Sequence, residues 1–77
     1  MTRDEFLRAL ERDLALDSGS LNENQTLQSL EGWDSMAAVQ FIALADEQAG
    51  ITISGDQIDR SRTVGELLSL LGNRLTA

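Results

Sequence analysis

The residues best suited to chemistry are Asp34 and Ser35, where a polar loop turns into the most apolar predicted helix of the chain. Asp34 is predicted to be the helix N-cap, its carboxylate accepting a hydrogen bond from the first turn. Ser35 then takes the first helical position, with its hydroxyl on the surface. Because a helix start carries unpaired N–H groups and partial positive charge, this position favours a phosphate ester. On its own, however, an Asp-Ser pair at a helix start is typical of an ordinary cap.

The residue types that are missing argue against an enzyme. The 77 residues include no Cys, no His and no Lys. The chain therefore has no thiol nucleophile, no thiolate metal site, no usual general base and no Schiff-base amine of its own. A chain of this length buries only about 60% of its unfolded surface, which leaves little interior for a deep substrate pocket. A small hydrolase that uses Ser35 is the enzyme alternative, and the absence of His counts strongly against it.

The charge of the chain is strongly and unevenly acidic. The net charge is −7, and the sequence from Asp13 to Asp59 contains no basic residue. Such a surface repels nucleic acids and anionic lipids and attracts basic partners, although acidity also simply keeps a small protein in solution. No apolar run is long enough to span a membrane and no signal-peptide pattern opens the chain. We therefore expect a cytoplasmic monomer without membrane insertion.

Hydrophobic periodicity and turn signals predict four helices. The first covers about residues 3–16 and the second residues 35–49, stopped by Gly50. A short helix follows at about residues 56–60, and the last helix begins after residue 63 and reaches residue 71 or 75. Capping boxes are predicted at three of the starts: Thr2 with Glu5, Ser54 with Gln57, and Thr63 with Glu66. The fold class is all-α, a small four-helix bundle of three main helices and one short helix, forming one domain over residues 1–77.

Two connections between the helices are predicted to be ordered. The long loop over residues 21–33 contains three isolated leucines, which we interpret as anchors to the core: Leu21, Leu27 and Leu30. Ile51 and Ile53 alternate as in a strand, but a lone strand is not stable. This segment is therefore predicted to be an extended connector that buries both isoleucines.

The second helix has two distinct faces when its residues are placed at 100° intervals. One face is predicted to pack on the core: Ala38, Phe41, Ile42, Ala45 and Ala49. The opposite face begins apolar beside Ser35 and ends acidic: Met36, Val39, Gln40, Ala43, Asp46 and Glu47. This second face is either a docking surface for partners or a region of additional packing under the loop.

The segment from Gly32 to Met36, with Leu30 before it, resembles the Asp-Ser-Leu signature of acyl carrier proteins and peptidyl carrier domains. The resemblance covers nearly the whole chain, including its size and acidity. It continues in register at further positions: Val39, Phe41, Ile42, Gly50, Ile51, Thr52, Ile53, Thr63, Val64, Leu67 and Leu68.

The resemblance implies a freestanding, non-catalytic acyl or peptidyl carrier protein. It places 4′-phosphopantetheine from coenzyme A on Ser35, with the acyl or aminoacyl group held as a thioester. It further implies that Asp34 helps a phosphopantetheinyl transferase to position magnesium and the reacting phosphate. The other implied partners are a loading enzyme and downstream biosynthetic enzymes. The alternative is an unmodified protein–protein interaction module of the same fold.

Several residues depart from the pattern of the family. Met36 replaces the usual Leu, a swap of similar volume, and Glu31 stands where the family often has Leu. Ala37 and Gln40 fall where fatty-acid-type carriers usually have acids, which favours a specialised biosynthetic pathway over bulk fatty-acid synthesis. Trp33 replaces a small residue and either packs over the loop or contacts a partner or the arm. The cargo is left open among fatty acyl, polyketide, amino acid and hydroxy acid groups.

Overall fold

The computed structural model describes residues 1–30 and 32–76, which form four α-helices and two short 3₁₀ turns. The α-helices are α1 (Arg3–Asp13), α2 (Ser35–Ala49), α3 (Gly55–Asp59) and α4 (Val64–Ser69), and the 3₁₀ turns lie at Leu27–Ser29 and Gly72–Arg74. The predicted all-α bundle with a long first loop is confirmed. None of the described helices has the length and apolarity needed to cross a lipid bilayer.

The three predicted capping boxes all form. At α1, the Thr2 hydroxyl accepts from the Glu5 N–H at 3.0 Å, and the Thr2 N–H donates to the Glu5 carboxylate at 2.8 Å. The same reciprocal pair joins Ser54 to Gln57 at α3 and Thr63 to Glu66 at α4. Each box satisfies two backbone donors that a helix start would otherwise leave unpaired.

Helix α1 ends at Asp13, three residues before the predicted limit. Ala15 adopts a left-handed backbone with φ of 58°. The Leu16 N–H donates to the Glu11 carbonyl at 2.8 Å and the Ala15 N–H to the Arg12 carbonyl at 3.2 Å. This bonding is a Schellman motif, which terminates a helix and usually has Gly at the left-handed position. The prediction of the helix end was wrong because an Ala occupies that position.

Helix α2 runs over the predicted residues and ends at Gly50, whose φ of 66° gives the left-handed stop. Its Phe41 lies at the centre of the core against Phe6 of α1. The two rings are 5.7 Å apart and inclined at 75°, an edge-to-face pair. Such pairs contribute about 0.5–1.5 kcal/mol beyond the area that they bury. This contact fixes α2 against α1.

The buried face of α2 contains the predicted one and is broader. Phe41, Ala45 and Ala49 are buried as predicted, and Ala38 and Ile42 are half-buried against the core. Ala37 and Leu44 are buried in addition, and Gln40, predicted to face outward, is half-buried. Because α2 is apolar around most of its circumference, its sequence pattern predicts the centre of the buried face but not its edges.

The last helix is shorter than predicted, since α4 ends at Ser69 and a 3₁₀ turn follows at Gly72–Arg74. The bundle therefore has two long helices and two short ones. Leu71 and Leu75 are buried nonetheless. In the connector after α2, Ile53 is buried as predicted and Ile51 is half-buried.

The long loop is anchored as predicted, with Leu21 and Leu27 buried and Leu30 half-buried against the core. Backbone hydrogen bonds also attach it to the start of α4. The Leu27 N–H donates to the Arg62 carbonyl at 2.8 Å, and the Val64 N–H donates to the Gln25 carbonyl at 3.0 Å. The described residues of the loop that leads to Ser35, 21–30 and 32–33, are therefore held against the bundle.

Candidate attachment site at the start of the second helix

Asp34 caps α2 as predicted. Its backbone is extended, and its Oδ1 atom accepts the Ala37 N–H at 2.9 Å. Its carbonyl accepts the Ala38 N–H at 3.0 Å, the first hydrogen bond of the helix. The cap thus satisfies the third N–H of the helix, while the first two have no intrahelical acceptor.

Ser35 occupies the first position of α2 and is exposed, as is Asp34. The fifteen-residue helix places the positive end of its dipole at this position, and its first turn contains no acidic residue. A phosphate ester on Ser35 would therefore meet helix N–H groups and a favourable dipole. The exposed hydroxyl also leaves the position open to a modifying enzyme. These features fit a phosphate-linked group.

The chain approaches Ser35 through Gly32 and Trp33. Gly32 has φ of 83°, a left-handed conformation that favours glycine. No atom lies within 4 Å of a Cβ built on it, so its conformation, and not the available space, requires glycine. Trp33 is half-buried and packs on the core, and its N–H donates to the Leu30 carbonyl at 3.3 Å. Glu31, noted above as a departure from the family pattern, lies outside the described residues.

Trp33 borders two spaces on the surface of the bundle. On one side is a cavity of about 40 Å³ lined by leucines that follow α1 and by leucines of the loop. On the other is an open groove of about 280 Å³, lined by Leu27, Gln28, Ile58, Asp59 and Ser61. The groove residues could not be predicted from the sequence, because they come together only when the loop pairs with the segment before α4. The packing of Trp33 over the loop is confirmed, and its contact with a partner or arm stays a prediction.

The outward face of α2 carries the predicted apolar side chains next to Ser35. Met36 is 67% exposed and Val39 60% exposed, and among the described residues only Met1 joins them as an exposed large apolar residue. Ala43, Asp46 and Glu47 are exposed further along the helix. The face is therefore apolar near Ser35 and acidic at its far end.

The two positions that depart from fatty-acid-type carriers do not contribute equally to this surface. Gln40 lies at its half-buried edge, and Ala37 is buried. Ala37 therefore faces the core and cannot offer a side chain to a partner. Of these two positions, only Gln40 borders the exposed face.

Fold and site together define a small helical bundle that presents an exposed serine hydroxyl at the start of its longest helix. A model of the family described as "Phosphopantetheine attachment site" matches residues 4–71, and the chain belongs to that family. The protein is a phosphopantetheine-bearing carrier whose cofactor is covalently attached 4′-phosphopantetheine, which confirms the resemblance. Such carriers are non-catalytic and interact with phosphopantetheinyl transferases and biosynthetic enzymes. No curated protein and no solved structure matches the chain.

Proposed function

We propose that Ser35 is the attachment residue and that the protein, as one carrier domain in the cytoplasm, holds an acyl or aminoacyl group for biosynthetic enzymes. The observation that carries this proposal is the exposed Ser35 hydroxyl at the first position of α2, directly after the Asp34 cap. When bound, the cofactor supplies a thiol that forms thioesters. The chain has no Cys and cannot supply such a thiol itself. The protein itself is proposed to catalyse no reaction.

The other helix starts support the choice of Ser35, because their hydroxyls are occupied as caps. Thr2, Ser54 and Thr63 each accept a backbone N–H of their own helix. At α2 the Asp34 carboxylate accepts the backbone N–H, so the hydroxyl of Ser35 has no part in the cap. Helices α3 and α4 are also short, with five and six residues. Ser35 therefore combines the positive end of a long helix dipole with an exposed hydroxyl that is not used as a cap.

Asp34 is proposed to have two roles. In the carrier alone it caps α2 through the Ala37 N–H. In the complex with the transferase, its exposed carboxylate helps to position magnesium and the reacting phosphate. The cap leaves the second carboxylate oxygen available for that contact, since Oδ1 accepts the Ala37 N–H.

The outward face of α2 is proposed to dock the partner enzymes, with Trp33 at its margin. Met36 and Val39 offer an apolar contact around the arm, with Gln40 and Ala43 beside them. Asp46 and Glu47 lie in the last turn, where acids act against the helix dipole. The ion pairs found within the described residues do not involve these two acids. Their charge is therefore proposed to serve a basic residue on the partner.

The intact mass of the protein after incubation with coenzyme A, magnesium and a phosphopantetheinyl transferase tests this function. We expect the wild type to gain one phosphopantetheine and Ser35→Ala to gain none, with its fold kept because Ala is a good helix former. Ser18→Ala, which removes another exposed hydroxyl, is the matched control and should load like the wild type.

Two results would contradict the proposal. Loading of Ser35→Ala, with the arm located on another hydroxyl by peptide mass mapping, would exclude Ser35 as the attachment residue. A wild type that gains no mass from an active transferase would favour the unmodified interaction module.

A further inference from the structure

A buried carboxylate on α1 has no place in the function described so far. Glu11 is 1% exposed and is the one charged residue fully buried among residues 1–30 and 32–76. Burying a carboxylate is costly unless it is paired and hydrogen-bonded. Arg8 supplies the charge, with its Nε atom 3.2 Å from Glu11 Oε1, although the two atoms are not aligned as a hydrogen bond.

This ion pair holds a single loop residue by both of its backbone groups. The Leu21 N–H donates to Glu11 Oε2 at 2.8 Å, and Arg8 Nη2 donates to the Leu21 carbonyl at 3.0 Å. We call these two hydrogen bonds and the ion pair the Leu21 clamp. Hydrogen bonds to charged groups are roughly twice as strong as neutral ones, and burial of the carboxylate strengthens them further. The clamp therefore fixes the start of the long loop on α1.

The side chain of Leu21 links the clamp to the residues before Ser35. Leu21 lines the cavity of about 40 Å³ together with Gly32 and Trp33. The other walls are leucines at the end of α1 and in the loop: Leu14, Leu16 and Leu30. Leu21 and Trp33 are thus walls of the same small cavity, so a displacement of Leu21 would change the surface on which the indole packs. In the sequence, only Asp34 separates Trp33 from Ser35.

We propose that Arg8 and Glu11 are positioning residues for the attachment site. By clamping Leu21 they hold Trp33, and with it the start of α2, in the arrangement that a phosphopantetheinyl transferase recognises. The inference rests on the proposed attachment at Ser35. If the clamp opens, only a fraction of the carrier keeps the competent arrangement, and the apparent affinity for the transferase falls by that fraction.

A second ion pair on the same loop offers a matched control. Arg3 Nη2 lies 2.6 Å from Glu23 Oε1 and also donates to the Gly65 carbonyl at 3.1 Å. This pair ties the loop to α1, and through the Gly65 carbonyl to α4. Glu23 does not line the cavity beside Trp33. Breaking it removes a loop contact of the same chemical kind without disturbing the cavity wall.

The first measurement uses the fluorescence of Trp33, the sole tryptophan of the chain, in the unmodified protein. In Arg8→Met and Glu11→Gln we expect acrylamide to quench Trp33 more strongly than in the wild type. Glu23→Gln should match the wild type, and Arg8→Lys, which keeps a positive charge near Glu11, should lie in between. Far-UV circular dichroism establishes that each variant is folded. The two clamp variants act on different partners, so one remains informative if the other fails to fold.

The second measurement is the steady-state rate of loading against carrier concentration. For Arg8→Met we expect KM to rise about three- to tenfold with kcat nearly unchanged, because the transferase selects the competent fraction. Wild-type quenching and KM in both clamp variants would overturn the inference. Equal changes in Glu23→Gln would also overturn it, since they would indicate a general effect of loop stability. Loading absent from the wild type would instead contradict the attachment proposal, while the fluorescence comparison still tests the clamp.

Discussion

At the level of single residues, Asp34 caps α2 and the neighbouring Ser35 is the proposed attachment residue. The other three helices begin with a hydroxyl cap and a reciprocal glutamate or glutamine. Helix α2 begins with a carboxylate cap and has no such box. Any side-chain cap at position 34 leaves the Ser35 hydroxyl free, but only a carboxylate cap also places a negative charge beside it.

Substitution of Asp34 should separate these two effects. Asp34→Ala loses the cap, so we expect the free energy of unfolding to fall by about 0.5–2 kcal/mol and loading to slow. Asp34→Asn should recover much of the stability, because Asn caps about as well as Asp. It should not recover the loading rate, because the charge is absent.

Urea unfolding and loading kinetics on the same three proteins provide the measurement. If Asp34→Asn loads as fast as the wild type at matched stability, the charge at this position has no part in modification.

At the level of elements, α4 lies tightly against the long loop at Gly65. The Gly65 N–H donates to the Glu23 carbonyl at 3.0 Å, and a Cβ on Gly65 would lie 3.1 Å from that oxygen and 3.3 Å from Glu23 Cβ. Helix propensity alone predicts that Gly→Ala stabilises a helix by about 1 kcal/mol. The crowding predicts the opposite result here, since the hydrogen bond from Gly65 and the Arg3 ion pair prevent Glu23 from moving away.

We therefore expect Gly65→Ala to lower the urea midpoint. Gly55→Ala is the control, because no atom lies within 4 Å of a Cβ at the start of α3, and it should be neutral or stabilising. If Gly65→Ala is instead more stable than the wild type, the loop must move away from α4 at Glu23 to make room for the added methyl group.

The outward face of α2 makes a prediction about partner choice. Surface ion pairs contribute about 0–1 kcal/mol each and are screened by salt, whereas apolar contacts are not screened. Met36→Ala or Val39→Ala should therefore weaken docking to a cognate loading enzyme at every ionic strength. Asp46→Asn combined with Glu47→Gln should slow association mainly at low salt.

Steady-state kinetics of the loading enzyme at low and high salt distinguish the two classes of variant. Equal losses in both classes across the salt range would argue against this face as the docking surface. Normal loading of Met36→Ala and Val39→Ala would also argue against docking at this face. The side chains of Met36 and Val39 would then serve internal packing.

At the level of the whole molecule, the two ends of the described chain and the loop meet around the start of α1. The Arg3 N–H donates to the Thr76 carbonyl at 2.9 Å, and the Thr76 N–H donates to the Met1 carbonyl at 3.0 Å. The Arg3 side chain meanwhile binds Glu23 and the Gly65 carbonyl. One residue thus joins α1 to the loop, to α4 and to residue 76, and loss of its ion pair with Glu23 should lower the free energy of unfolding while the backbone bond to Thr76 remains.

This ion pair predicts how stability depends on pH. Hydrogen bonding from Arg3 lowers the pKa of Glu23 below its ordinary value of 4.5. Hydrogen bonds from the Thr2 backbone and side chain likewise lower the pKa of Glu5. Because these pKa values are lower in the folded state, their contribution to stability is complete above about pH 4.5 and is lost as the pH falls through the folded values.

We expect Glu23→Gln to be less stable than the wild type at pH 7 and the difference to shrink to nothing in acid. Urea midpoints of both proteins between pH 7 and pH 3 measure this difference. Acidification relieves charge repulsion in both proteins alike, so that general effect cancels when the two are compared. A difference that stays constant over the whole range would show that the carboxylate charge of Glu23 does not stabilise the fold.

Much of the fold follows from the sequence because its determinants are local. The capping boxes, the Asp34 cap and the Gly50 stop each depend on hydrogen bonds between residues three to five positions apart. The bounds of α2 and the exposed position of Ser35 were therefore predictable. The family match over residues 4–71 agrees with this local pattern.

Other features depend on contacts between segments far apart in the chain and were decided by tertiary structure alone. The width of the buried face of α2, which includes Ala37 and Leu44 beyond the predicted residues, depends on packing against the rest of the bundle. The burial of Glu11 depends on Leu21, ten residues away, whose N–H it accepts. The groove beside Trp33 exists because the loop pairs with the segment before α4. Sequence periodicity describes one helix at a time. It therefore cannot predict which groups of another segment will contact the side chains of that helix.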